Sequence, residues 1–432
     1  MKNITTVILA AGKSSRFKHK QSKIFQDLCG LSIIEHVFNI ARRVSKSKVV
    51  FVCNEDNIKD LKKKFQGCKF VIQKKYNGTA EAVLSAKKYL KNTNVLILFG
   101  DVPLISLSSI KRLINDFKKN KNRGSLIAFR TKEPFGYGRL KIKGKYVTKI
   151  IEEINTNTEE KNINLCNSGV MLCNSKILFN NLKRIAINKI KKEKYLPDIV
   201  DILYKNNTSF TYVLGHEDEM HGVNTIEDLI RIDKIFQNKI KKDIIKKGII
   251  IYQPETVRFS FDTIIKKGTI IESHVIFKTG VNIKENVIIK SHSVIEKCNI
   301  SENSSIGPSA RIRPYTKIGK NVRIGNYVEV KNSTIGNFCS INHLSYIGDS
   351  ILGKNVNVGA GSITCNFDGK KKNKTKIGDN VFIGSNSSLV APLEIAKNVT
   401  IGAGSVITDN IPANSLALER SKTKILKKPR KK

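Results

Sequence analysis

Residues 306–330 read IGPSARIRPYTKIGKNVRIGNYVEV, with an aliphatic residue at every sixth position: Ile306, Ile312, Ile318, Ile324 and Val330. A period of six fits neither a helix nor an alternating strand. It fits a parallel β-helix in which each hexapeptide forms one flat face and three faces close a coil. The aliphatic residue points into the prism and fills it. Backwards, the six-residue step reaches Ile300, and one five-residue step then leads to Ile295, Ile289, Ile283, Phe277 and Ile271. Forwards, five-residue steps lead to Ile335, Ile341 and Ile347, and then to Leu352, Val358 and Thr364. After a 13-residue gap the repeat resumes at Ile377, Ile383, Leu389, Ile395, Ile401 and Ile407. Gly follows the repeat residue at 307, 319, 325, 336, 348, 353, 359, 378, 384 and 402, and is expected to turn the corner with φ > 0. Residues 365–376, CNFDGKKKNKTK, are expected to loop out of the prism, and insertions of this kind map to binding faces.

The first ~220 residues read differently. Strand-like stretches at Thr6–Ala10, Val49–Cys53, Phe70–Gln73, Val95–Phe99 and Ser125–Phe129 alternate with helix-like stretches such as Ile33–Val44 and Thr79–Leu90. That alternation predicts a Rossmann-like α/β domain with a mostly parallel sheet. Such sheets bind ligands at the carboxyl ends of their strands. Residues Thr225–Lys247 lack Gly and Pro, carry apolar residues at helical spacing, and end at Gly248. The expected organisation is therefore a nucleotide-type domain over 1–224, a helical linker over 225–247 and a hexapeptide-repeat domain with a basic tail over 248–432.

The chain has 432 residues, too many for one ordinary core. With 40% hydrophobic and 26% charged residues it is globular in composition. No apolar run reaches membrane-spanning length, and MKNITTVILAAGKSS reads as a first strand rather than a signal peptide. Eight scattered cysteines without a C-x-x-C pattern read as reduced thiols of a cytoplasmic protein, not as a zinc site. The net charge of +41 is carried by lysines spread throughout the chain. It reads as biased composition that also steers small anions, so nucleic-acid and membrane partners are not expected.

Two motifs carry chemistry in the first domain. Leu9-Ala10-Ala11-Gly12 ends a buried strand in a small-residue loop, followed by Arg16 and Lys23. Small residues let backbone N–H groups approach an anion or a base, while Arg and Lys hold phosphates. Phe99-Gly100-Asp101-Val102-Pro103 places a carboxylate at a strand end, where a Mg²⁺ ligand belongs. Asn224 offers either a second oxygen to the metal or a cap to the following helix.

L-A-A-G-x-x-x-R, then G-D-x-P-L, then a helix and a hexapeptide prism resemble the sugar-1-phosphate nucleotidyltransferases. The whole chain resembles the bifunctional N-acetylglucosamine-1-phosphate uridyltransferase / glucosamine-1-phosphate N-acetyltransferase family. The most specific match runs through His343-Leu-Ser-Tyr346, Asn357-Val-Gly-Ala360-Gly and Thr364-Cys-Asn366-Phe367-Asp-Gly. The resemblance implies a nucleotide site of Leu9, Ala10, Gly12, Lys23, Gln73, Gly78, Thr79, Phe99, Gly100 and Asp101, with the sugar on Gly138, Glu152 and Asn167. Asp101 and Asn224 are expected to hold Mg²⁺, and Arg16 and Lys23 to neutralise charge as the sugar phosphate attacks UTP. Ser14 and Ser22 stand where the family usually has Gly and Pro.

Acetylating glucosamine 1-phosphate needs a base near neutral pH, and His is suited to it. Of seven histidines, His343 alone lies among polar residues late in the prism, with Tyr346 three residues on. Glu329 is the expected partner of that base. The resemblance implies sugar-phosphate binding by Arg313, Lys331, Tyr346 and Asn357. It likewise implies an acetyl-CoA groove of Ala360, Asn366, Phe367, Ser385, Ala403 and Arg420. Phe367 stands at a position that is usually Tyr. The family makes UDP-N-acetylglucosamine and assembles as homotrimers. A single-activity nucleotidyltransferase with a purely structural prism is the competing reading.

Overall fold

The computed structural model describes residues 3–432, apart from 20, 76, 120–122, 189–191, 420–422 and 426–432. Contacts divide the chain into two compact units, 1–236 and 237–432. The division falls within a single helix, Ile226–Ile245.

The first unit is built on a nine-stranded sheet. Its spatial order is Lys69–Ile72, Val49–Cys53, Ile4–Leu9, Asn94–Phe99, Leu165–Asn174, Gly124–Arg130, Phe210–Leu214, Tyr146–Ile151 and Arg139–Lys143. The first four strands are parallel. Beyond them the sheet is mixed, because Leu165–Asn174 runs antiparallel between Asn94–Phe99 and Gly124–Arg130. Successive residues of the central strands feed opposite cores. Val7, Val50, Val52, Val95 and Ile97 face one way, while Ile8, Phe51, Leu96 and Leu98 face the other. Both faces are thus covered by helices, which is why these strands read as unbroken apolar runs. Ile33–Ser45 covers one face, with its first turn fixed by the Ser32 N–H donating to Glu35 at 2.7 Å.

The second unit is a three-faced prism of parallel strands, a left-handed β-helix. Its faces carry ten, eight and eight strands. The repeat residues from Ile271 to Ile407 are buried in one core, and Thr364 is buried with them. Ile240 and Ile244 of the helix pack against the first coils. Gln237 makes paired hydrogen bonds with the backbone of Phe259, at 2.7 and 3.0 Å.

The corner expectation is corrected. Of the repeat glycines, only Gly307 has a positive φ. The corners turn mostly three residues after the aliphatic position, at residues such as Asn286, Asn303, Asn321, Asn355 and Asn398, all left-handed. Asn tolerates that conformation, and here its amides stack between coils, as in Asn380 to Asn398 at 3.1 Å. The repeat glycines serve a different need, which is close approach. A Cβ on Gly325 would stand 1.8 Å from the carbonyl oxygen of Asn342, and one on Gly336 would stand 2.1 Å from that of Gly353.

All eight cysteines are free, and burial pushes the Cys53, Cys173 and Cys298 thiols up to about 12. Among the described residues, no helix is long and apolar enough to cross a membrane. Because the neighbour at Gly325 is backbone, Gly325→Ala is expected to destabilise the prism by about 1–3 kcal/mol in denaturant unfolding. An unchanged midpoint would show that the coils can separate to admit a methyl group.

Candidate functional site

In the first unit, four residues from three distant parts of the chain meet at the carboxyl edge of the sheet. Lys23 Nζ lies 2.6 Å from Asp101 Oδ2 and 3.0 Å from Asn224 Oδ1. Arg16 donates to the same Asn224 oxygen at 3.1 Å. Asp101 is brought there because Asn94–Phe99 pairs with Ile4–Leu9 in register, Phe99 opposite Leu9. The Gly100 N–H donates to the Leu9 carbonyl at 2.8 Å, and a Cβ on Gly100 would press on Ile34 and Leu9. Asn224 is held in turn by its own N–H donating to Asp228, at 2.9 Å. One carboxylate and one amide oxygen thus converge on a single cation position, filled by the Lys23 ammonium. That donor set fits Mg²⁺, which takes few protein oxygens and keeps waters and substrate phosphates. Among the described residues, no group of three or more His, Cys, Asp and Glu is assembled for a metal.

The small-residue loop is pinned rather than floppy. Asn57 donates to the Ala10 carbonyl at 2.7 Å and Asn54 to that of Ala11 at 3.3 Å, leaving Gly12 exposed. Ser14 and Ser22, the two departures from the family pattern, face one another with their hydroxyls 3.2 Å apart. Ser14 is left-handed (φ 54°), whereas Ser22 has the φ of −54° that a Pro would adopt. A cleft of about 930 Å³ borders this loop, yet Arg16, Lys23, Asp101 and Asn224 do not line it. Convergent charge, not cavity size, marks this candidate site.

Gln73 follows the outer parallel strand Lys69–Ile72, which is three strand spacings or roughly 14 Å from Asn94–Phe99, and Gly78 and Thr79 follow in the next loop and helix start. Gln73 braces their loop by donating to the carbonyls of Lys75 and Gly78, at 2.9 and 3.2 Å. Thr79 Oγ1 accepts from Leu196 N–H at 2.9 Å. The sugar candidates also meet. A Cβ on Gly138 would stand 3.4 Å from Glu152 Oε1, and the Asn167 N–H donates to the Gly138 carbonyl at 2.8 Å. Phe99 packs against Gly169, two residues beyond Asn167. Burial, reinforced by the charge of Asp198, pushes the Glu152 carboxyl up to about 7. Burial likewise raises Asp198 to about 6.

In the prism, one coil stacks on the next about 4.8 Å away, so residues near 17 apart become neighbours. His343 lies beside Asn326, with Nδ1 at 2.7 Å from Asn326 Oδ1. Glu329, the partner expected from sequence, is instead engaged by Arg313 at 2.7 Å and Arg311 at 3.6 Å. The reason is register: Glu329 stands opposite Arg311 and Tyr346 on a neighbouring face, across a corner from His343. With Nδ1–H donating to Asn326, the lone pair of His343 lies on Nε2. The strand registers continue the His343 column through Ala360, Ser385 and Ala403 on successive coils. Small side chains thus continue the column from the histidine.

Arg313, Lys331 and Tyr346 follow one another on the adjacent face. Asn357 lies on the His343 face. Asn366 donates to Asp349 and lies 3.5 Å from the Tyr346 hydroxyl. The looped-out segment is a tight hairpin. Asp368 accepts from the Lys370 and Lys371 N–H groups and from Asn373, which holds its carboxyl down at about 2. The hairpin leaves Phe367 exposed and carries Lys372 to Lys331, whose pKa falls because the two ammonium groups lie within hydrogen-bonding reach. Arg420 lies outside the described residues. Sequence reasoning missed Asn326 and Lys372. The first was findable by counting one coil back from His343, whereas the second depends on how the hairpin folds.

Two stability measurements test this geometry. Since folded Glu152 keeps a proton that the unfolded chain releases, stability contributed there falls as pH rises from 4.5 towards about 7. Glu152→Gln is expected to flatten that fall in urea titrations, and an unchanged slope would contradict the burial of this carboxyl. For Ser14, Gly relieves left-handed strain that Ala retains, so Ser14→Gly is expected to be more stable than Ser14→Ala by about 1–2 kcal/mol. Equal stabilities would contradict the left-handed assignment.

Residues 6–184 match the MobA-like NTP transferase domain, residues 294–368 the GMPPB C-terminal domain, and residues 374–409 six bacterial transferase hexapeptide repeats. The chain is 39% identical over 428 residues to the bifunctional protein GlmU of Bartonella bacilliformis, covering 98% of this chain and 95% of that protein. It is 42% identical to the Brucella canis protein of the same name, covering 96% and 93%. It is 39% identical to that of Buchnera aphidicola subsp. Schizaphis graminum, covering 100% and 98%. A nucleotidyltransferase-type sheet and a hexapeptide prism, matched along nearly their whole joint length, make this chain a member of the bifunctional GlmU family, a nucleotidyltransferase joined to an acetyltransferase.

Proposed function

We propose that the chain makes UDP-N-acetylglucosamine in two steps, each at one of the two clusters described. In the prism, glucosamine 1-phosphate is held through its phosphate by Arg313 and Lys331, with Lys372 as a third cation, and by Tyr346 and Asn357. His343 Nε2 takes a proton from the sugar ammonium, and the freed amine attacks the thioester carbonyl of acetyl-CoA. Collapse of the tetrahedral intermediate expels the coenzyme A thiolate, which takes up a proton. Asn326 holds the imidazole in the required tautomer. Ala360, Ser385 and Ala403 floor the acetyl-CoA groove, to which Asn366, Phe367 and Arg420 are assigned by resemblance. Ser385 is exposed and supplies a hydroxyl for the developing oxyanion.

In the first unit, a phosphate oxygen of N-acetylglucosamine 1-phosphate attacks the α-phosphorus of UTP. The bond from that phosphorus to the bridging oxygen breaks, and pyrophosphate leaves. No general base is required, because the nucleophile is already an anion. Asp101 and Asn224 would hold Mg²⁺, which when bound neutralises phosphate charge. Arg16 and Lys23 supply further positive charge, and Gly138, Glu152 and Asn167 orient the sugar. Gln73, Gly78 and Thr79 are assigned to the uracil by resemblance, beyond Leu9, Ala10 and Gly12. A homotrimer in the cytoplasm is the assembly and location that the family resemblance supports.

The observation that carries the two-activity reading is the His343–Asn326 pair at the head of a column of small residues. A merely structural prism has no use for it. General-base loss costs about 100-fold or more. His343→Ala is therefore expected to lower acetyl transfer by at least that factor while leaving uridylyl transfer at wild-type rate. Asp101→Ala is expected to do the reverse. If either substitution removes both activities from a protein that still assembles, the division of labour is wrong.

A further inference from the structure

Uridylyl transfer, as proposed above, uses two parts of the first unit: the sugar pocket around Gly138 and the cation cluster around Asp101 and Asn224. The inference drawn from their connection rests on that reading. A side-chain link joins them. The Tyr137 hydroxyl lies 3.1 Å from Nδ1 of His221. Tyr137 immediately precedes Gly138, and His221 stands three residues before Asn224. Between those two, Val223 donates its N–H to the Asp101 carbonyl at 2.8 Å. Both rings are seated independently of the link. Tyr137 meets Phe129 edge-on with centroids 4.9 Å apart, and His221 is buried.

The other flank of the same segment is clamped as well. Arg139 is 1% exposed, donates to the Tyr137 carbonyl and pairs with Glu153 at 2.6 Å. Glu153 also accepts from the Gly136 N–H at 3.3 Å. The Arg139 Nε is buried without a hydrogen-bond partner. A buried ion pair left partly unsatisfied is a poor device for stability, but it holds backbone in one place. Residues 136–139 are thus tied to the Glu152–Glu153 strand end on one side and to the Asn224 segment on the other.

We propose that Tyr137 and His221 are positioning residues for uridylyl transfer. Their hydrogen bond sets the sugar-binding segment relative to Asp101 and Asn224, and so aligns the attacking phosphate oxygen with the α-phosphorus. In-line transfer is sensitive to such placement, because a displacement of about 1 Å costs on the order of 100-fold in rate. The bond's own contribution to folding is small by comparison.

The test is steady-state kinetics of UDP-N-acetylglucosamine formation, with acetyl transfer by the same preparations as an internal reference for folding. Tyr137→Phe keeps the ring against Phe129 and removes the hydroxyl. It is expected to lower kcat at least ~10-fold while KM for UTP and for N-acetylglucosamine 1-phosphate stays within about 3-fold. His221→Ala is expected to match it, and the double variant to be no worse than either single variant. His221→Asn, whose amide reaches the place of Nδ1, is expected to recover most of the loss. An unchanged kcat in Tyr137→Phe, a loss confined to KM for the sugar phosphate, or additive losses in the double variant would each overturn the proposal. Wild-type protein devoid of uridylyl transfer would instead overturn the reading of the site itself, and this inference with it.

Discussion

The spacing of about 4.8 Å between hydrogen-bonded strands governs the second unit. Once three faces close a coil, every position lies directly over its counterpart one coil away, and the chain becomes a set of columns. The aliphatic column fills the interior. The glycine column exists because successive backbones come too close for a Cβ. The asparagine column turns corners and bonds to itself. The same stacking assembles chemistry. It sets His343 against Asn326, and it continues their column as residues too small to block a ligand. It also places Arg313 against Glu329, which keeps that carboxylate away from the histidine.

The first unit solves a different problem. Its central strands bury both faces, and the polar groups of the candidate site gather past their carboxyl ends. Leu9 and Phe99 end side by side, and everything after them is delivered to one edge. Four charged or amide groups from residues 16, 23, 101 and 224 meet there. The antiparallel strand Leu165–Asn174 then brings Asn167 and the hairpin with Gly138 and Glu152 into the same unit. Like the prism, the sheet builds its site by register, though across strands rather than along a column.

Much of this is legible in the sequence, for identifiable reasons. The repeat declares itself because each coil has a narrow interior that accepts one aliphatic residue per face. Four of the five parallel-type strands declare themselves because burial on two faces leaves few polar residues in them, while the outer Lys69–Ile72 is less buried. The hairpin Arg139–Lys143 and Tyr146–Ile151 lacks such a signature, since lysines interrupt both strands and one flank faces solvent. Leu165–Asn174 is hidden by Asn167, Ser168 and Gly169, where its pairing shifts register. In the sites, the charged and small residues can be named from motifs. Their partners cannot, because Glu329 and Asn326 are similarly distant from His343 in sequence and only the corner at Tyr327 separates their faces. The link from Tyr137 to His221 spans 84 residues and has no local signature.

The central claim is that one chain performs both chemistries. Mass spectrometry of a single reaction tests it most directly, with the purified full-length chain given glucosamine 1-phosphate, acetyl-CoA, UTP and Mg²⁺. The account predicts UDP-N-acetylglucosamine together with free coenzyme A and pyrophosphate. Absence of any acetylated sugar, in a preparation that still converts added N-acetylglucosamine 1-phosphate and UTP, would contradict it and leave the prism a structural appendage.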